Sequence, residues 1–133
     1  MLKQGSQFGG AMTENAERWQ NLDIWKEADD LAYRVYCTTS RFPKEEIYGI
    51  RSQLRRAALS VPTNIVEGYS RRGDKELSRF VNIALGSLGE TKYLIMFSCK
   101  LGYLNYSEHQ QLWEVAGNLG RKLWKFYEKV REP

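Results

Sequence analysis

The sequence predicts an all-α protein: an up-down-up-down antiparallel four-helix bundle whose long second helix is kinked at Pro62. Three observations carry that expectation. Apolar residues recur at steps of three and four along nearly the whole chain, and no segment alternates as a half-buried strand does. The interruptions are short and built from helix breakers, at Phe42-Pro43, Arg72-Gly73 and Leu101-Gly102. Connections of that length make sequential helices antiparallel neighbours.

The first helix is expected from Asp23 to Ser40, with Trp25, Ala28, Leu31, Ala32 and Val35 turned inward. Proline disfavours helical geometry in the residue before it, so Phe42-Pro43 ends the helix. Pro43 also suits a first helical position, and Glu45 and Glu46 suit the positive end of a helix dipole, which places the next start near Lys44. The second helix has an inward series of Ile50, Leu54, Ala57, Val61, Ile65 and Gly68. That series keeps phase straight through Pro62, which argues for one helix to about Ser70 rather than two. An internal proline removes an N–H and crowds the carbonyl four residues back, here Ala58, at about 3 kcal/mol if nothing compensates. Thr63 and Asn64 are placed to hydrogen-bond within the loosened turn.

Asp74 suits the N-cap of a third helix that buries Leu77, Phe80, Val81, Ala84, Leu88, Thr91 and Ile95. It should end at Leu101, where Gly102 can take a left-handed cap. Ser107 and Gln110 form a capping-box pattern for the fourth helix, which carries Leu112, Val115, Leu119, Leu123, Phe126 and Val130. At about 27 residues each, the second and third helices would be about 40 Å long.

The 133 residues fit one domain. Residues 1–20 are expected to be a flexible tail, GSQFGGAM resembling a cloning remnant with Met12 a candidate native start, and residues 21–133 the bundle. No apolar run approaches the ~18 residues of a membrane span, and no signal-peptide apolar region is visible. Cys37 and Cys99 lie in apolar helical patterns, as packed thiols do. A cytoplasmic protein with no membrane association is the expectation.

Enzyme signals are poor. His109, the single histidine, has no glutamate three residues before it, so the di-iron bundle motif is missing. No zinc ligand spacing and no phosphate loop is present, so no catalytic residue, metal or cofactor is assigned. His109 reads as a solvated residue, Glu67 as the i,i+4 partner of Arg71, and Gly86 and Gly89 as points of close helix contact. The charge is more informative. Residues 51–79 carry seven basic and three acidic groups, while residues 1–50 carry six and eight. Arg51, Arg55, Arg56, Arg71, Arg72, Lys75 and Arg79 are the candidate contacts to an RNA or DNA backbone, with Arg121, Lys122, Lys125, Lys129 and Arg131 on the last helix. Cations of this kind also complement helix C-termini and pair with nearby acids.

A helix that packs its core on one side should be mainly charged on the other. The second helix instead sets Ser52, Leu59, Thr63, Val66 and Ser70 opposite its core face. Seventeen aromatic residues exceed what one thin bundle needs inside. Both features point to self-association through that outer face.

The run FPKEEIYGIRSQLRRAALSVPTNIVEGYSRR carries a dense motif at Phe42, Pro43, Glu46, Gly49, Gln53, Leu54, Arg55, Arg56, Ala57, Ser60, Pro62, Asn64, Ile65, Glu67, Gly68 and Arg71. Phe80, Ala84, Gly86, Ser87, Glu90 and the LGYL from Leu101 to Leu104 extend it, over roughly residues 20–130. In these positions the chain resembles the four-helix-bundle family of 23S rRNA intervening-sequence proteins. The resemblance implies a bacterial bundle that assembles into a homo-oligomeric ring, a pentamer, with no catalytic constellation to carry over. Similar bundles serve as accessory variability determinant proteins of diversity-generating retroelements. A protein partner such as a reverse transcriptase is therefore the alternative to nucleic acid. Val66 stands where alanine is common in the family and enlarges the outer face of the second helix.

Overall fold

The computed structural model describes residues 17–131. Four helices make up the bundle: α1 (Asp23–Thr39), α2 (Ile50–Ser70), α3 (Gly73–Lys100) and α4 (Tyr106–Val130). Short 3-10 turns at Arg18–Asn21 and Lys44–Glu46 precede α1 and α2. Helix α1 packs on α2 and α4, and α3 packs on the same two from the other side. The result is the up-down arrangement the short connections require. Residues 1–16 of the expected tail lie outside the described residues, whereas Trp19 packs against the core and meets Trp25 edge to face at 4.9 Å. No described helix is long and apolar enough to cross a membrane.

Leu31, Val35, Leu54, Val61, Ile65, Val81, Ile95, Leu119 and Leu123 are wholly buried. Every inward residue expected of α1 and α2 is buried, including Gly68; Leu77 on α3 and Val115, Phe126 and Val130 on α4 are only partly covered. Helix α2 runs unbroken through Pro62. Thr63 Oγ1 donates to the Leu59 carbonyl at 3.0 Å, and Asn64 Nδ2 donates to the Ser60 carbonyl at 2.8 Å. Asn64 also reaches Ser60 Oγ, which meets Ser87 Oγ of α3 at 2.8 Å, so the loosened turn is tied to its neighbour. A buried Val or Ile contributes about 1.5–3 kcal/mol, and the turns flanking Pro62 bury Val61 and Ile65 completely. Their burial outweighs the hydrogen bond the proline gives up.

Helix α1 starts at Asp23 as expected, but the other three starts differ from expectation. Helix α2 begins at Ile50, not near Lys44, because Gly49 leaves helical geometry at φ −108°, ψ −123°. Its 21 residues are therefore fewer than expected. Glu46 remains a capping residue from outside the helix: its Oε1 accepts from the Ile50 N–H at 3.2 Å and its Oε2 from the Tyr103 hydroxyl at 2.8 Å. A Cβ on Gly49 would sit 2.5 Å from Glu46 Oε1 and would push the capping carboxylate aside. Phe42 is buried beneath this corner, its ring 5.3 Å from that of Tyr103.

Asp74 lies in the first turn of α3; the N-cap is Arg72, with Gly73 at φ +86°. The α4 capping box is made by Asn105 and Glu108, two residues before the expected pair, and both reciprocal hydrogen bonds are present. Helix α3 ends as expected. Gly102 has φ +84°, and the N–H groups of Gly102 and Tyr103 reach the carbonyls of Cys99 and Ser98, the Schellman pattern.

Two substitutions test this frame. Gly68→Ala would place a Cβ 3.1 Å from both Leu77 Cδ1 and Phe80 Cβ, so it should lower stability by about 1–3 kcal/mol in urea unfolding. Glu46→Ala removes the α2 cap and should cost about 1–2 kcal/mol. Unchanged midpoints would contradict both assignments.

Candidate nucleic-acid interface

The seven candidate cations do not form one patch. Arg55 points inward: Nε donates to Thr39 Oγ1 at 2.8 Å, the guanidinium donates to the Tyr36 carbonyl at 2.9 Å, and Cζ lies 4.4 Å from the Tyr36 ring centre. Thr39 Oγ1 in turn donates a hydrogen bond to the Val35 carbonyl at 2.7 Å. Arg55 thus closes the C-terminal end of α1, where the last carbonyls lack helical partners. Burial and then the adjacent Arg51 push its pKa below the ordinary arginine value, and the group stays cationic. Arg51 is half-buried and Arg56 exposed on α2, Arg56 donating to Ser52 Oγ.

The other four gather where α2 turns into α3. Arg71 pairs with Glu67 at 2.9 Å, the expected i,i+4 bridge, and with Glu76 at 3.6 Å. Arg79 pairs with Glu76 at 3.2 Å. Both guanidiniums stack on Phe80, at 5.2 and 4.3 Å from its centre. The Arg79 hydrogen bond, with the charges of Arg79, Arg71 and Lys75, holds the Glu76 carboxyl below its usual range. Arg72 and Lys75 are exposed and have no carboxylate within 4.0 Å among the described residues.

The antiparallel fold adds what sequence order separates. The end of α2 meets the end of α4 through Tyr69 and Phe126, whose rings stack at 6.1 Å. The cations of the last α4 turns therefore stand at the same end of the bundle as the hairpin. Lys122 is held by Glu27, which raises its pKa, and Arg131 pairs with Glu128 at 3.8 Å. Lys125 and Lys129 line an open groove with Ile24 and Phe126 and have no carboxylate within 4.0 Å among the described residues. Arg18 joins this end, 5.4 Å over the Tyr69 ring. Sequence reasoning assigned Arg18 to the tail; the adjacent Trp19, an aromatic residue out of place in a tail, was the available signal.

Of the outer face expected of α2, Leu59 is 44% exposed, Thr63 and Ser70 are exposed and Ser52 is half-exposed, whereas Val66, expected to stand outward with them, packs against the core instead. His109 is half-buried and stacks on Trp113 at 5.3 Å. Cys37 and Cys99 are half-buried free thiols. No group of three or more His, Cys, Asp or Glu able to hold a metal occurs among the described residues.

Residues 20–125 match the family described as 23S rRNA-intervening sequence protein. The chain belongs to that family. Among solved structures, the 23S rRNA-intervening sequence fold seen here is similar to a protein of unknown function from the S23 ribosomal protein family of Bacteroides thetaiotaomicron VPI-5482. The two share 17% identity with a TM-score of 0.71, over 78% of this chain and 97% of the other. At that identity the likeness concerns the fold. No curated protein gives a significant match. Within the 23S rRNA-intervening sequence motif, most residues have structural work: Glu46 caps α2, Gly49 makes room for it, Arg55 closes α1, Ser60 and Asn64 brace the proline turn, and Gly68 lets α3 approach.

Arg55→Ala should lower the urea midpoint by an amount worth about 1.5–3 kcal/mol, while Arg72→Ala leaves it unchanged. Equal effects of the two would contradict the division between inward and free arginines. The Glu76 contribution to the hairpin is present above the ordinary glutamate range and lost as pH falls through its lowered value. The amide shifts of Glu76 and Arg79 should therefore show a transition below pH ~4.3 that is lost in Glu76→Gln.

Proposed function

We propose that this 23S rRNA-intervening sequence protein is a non-enzymatic, self-associating binding protein that contacts the RNA or DNA backbone through one end of its bundle. The observation that supports this most is the placement of Arg72 and Lys75 at the same end as Lys125 and Lys129, all four without a carboxylate partner among the described residues. Cations already paired gain little by meeting a phosphate; unpaired ones release its counterions at no cost in broken bridges. Arg71 and Arg79 supply field and shape beside them, and Arg51 and Arg56 lie on α2 away from this end. The four cations stand on helices and at the hairpin, an arrangement suited to phosphates rather than base edges. Self-association would multiply the basic end, one copy per subunit, and so raise avidity without new contacts.

Fluorescence anisotropy with labelled single-stranded and duplex RNA and DNA tests this reading across salt. Affinity should fall steeply with salt, and Arg72→Ala/Lys75→Ala should reduce the log–log slope by about 2 for duplex, with little change among sequences. Undetectable binding of all four probes at low salt would contradict it. Unchanged binding in the double variant would contradict the assigned end.

A further inference from the structure

Part of the basic end is not simply a charged surface. Lys122, Lys125 and Lys129 recur at steps of three and four on α4 and so share one side of that helix. With Phe126 and with Ile24 from the first turn of α1 they line an open groove of about 450 Å³. That volume falls within the roughly 300–1,000 Å³ of clefts that hold small ligands. Ile24 is buried, while Phe126, stacked on Tyr69 at 6.1 Å, is only half-buried although its spacing predicts an inward position. Glu27 holds Lys122, and Lys125 and Lys129 are exposed without a carboxylate within 4.0 Å among the described residues. An apolar floor alone would suit any hydrophobic guest. Ammonium groups around it select a guest that carries negative charge beside an apolar surface.

We infer that this groove seats an unpaired base of a single-stranded nucleic acid, with the flanking phosphates on Lys125 and Lys129. The inference rests on the backbone-contact reading above and names the strandedness which that reading leaves open. An unstacked base offers an apolar face and has a phosphate on either side, so it matches floor and rim together. In a duplex each base is covered by its neighbours on both faces, and no apolar surface is left to enter. The surroundings extend the match. Arg18 lies 5.4 Å over the Tyr69 ring, and the unpaired Arg72 and Lys75 stand at the same end, so a strand leaving the groove meets further cations. All bases have an apolar face, so the seat accepts them without regard to sequence. The groove thus supplies a contact that phosphate charge alone does not, and gives the basic end a preference for single strands.

Fluorescence anisotropy at low salt, with a single-stranded oligothymidylate, an abasic strand of equal length and charge, and a duplex, tests the inference. The native chain should bind the oligothymidylate about tenfold tighter than the abasic strand. Phe126→Leu keeps an apolar side chain against Tyr69; it should erase that preference and leave affinity for the abasic strand and the duplex unchanged. Photocrosslinking of the native chain to a strand carrying 5-iodouracil needs no variant, and should mark residues 126–129. Crosslinks confined to the hairpin, or to residues 123–125 with the exposed Trp124, overturn the groove as the seat. Equal affinity for the base-bearing and abasic strands overturns this inference and leaves the backbone reading standing. Binding of none of the three overturns both. Phosphatidylglycerol vesicles that bind the native chain and not Phe126→Leu, with no discrimination among the strands, overturn it in favour of an anionic lipid.

Discussion

The continuity of α2 through Pro62 is the constraint on which the remainder of the molecule depends. A helix has two useful faces only if its phase is kept from end to end. Thr63 and Asn64 carry that phase across the missing hydrogen bond, and Ser60 links the same turn to Ser87 on α3. With register preserved, Leu54 and Ile65 reach the core from opposite sides of the proline, and Ser52, Leu59, Thr63 and Ser70 share the outside. A slip of one residue would rotate the second half by about 100° and bury Val66 in place of Ile65.

The bundle also separates its charged groups by task. Arg55 and Glu46 are spent on helix ends, where unsatisfied carbonyl and amide groups would otherwise face partly covered surroundings. Arg71 and Arg79 brace the hairpin through Glu76 and Phe80. Only cations left over from these roles are free to meet another molecule. Net charge therefore overstates the binding surface, and the unpaired subset at one end of the bundle is the more informative quantity.

Much of the fold was legible in the sequence because the inward positions of α1 and α2 follow a simple period. Helix ends were less legible. Ser107 and Asn105 are both good N-caps, and the choice between them rests on the Schellman turn at Gly102, which sets how much chain remains before α4 begins. The start of α2 was misplaced because two glutamates after a proline resemble a first turn, whereas the backbone leaves helical geometry at Gly49 and Glu46 caps the helix from outside it. The candidate site was legible as a list of arginines and not as a geometry. Arg55 finds its partners 16 and 19 residues away on another helix, and the junction of α2 with α4 joins Tyr69 to Phe126. Separations of that kind have no periodic signature. Gly86 and Gly89 were misread for the same reason: they look like ordinary contact points, but a Cβ on either meets nothing within 4 Å.

The account holds that α2 serves its own subunit on one side and a neighbouring copy on the other. Sedimentation velocity of the native chain, taken from high to low micromolar concentration, tests that claim most directly. A species of several chains that dissociates only on dilution is the expected result. A single monomeric boundary at every concentration would contradict it.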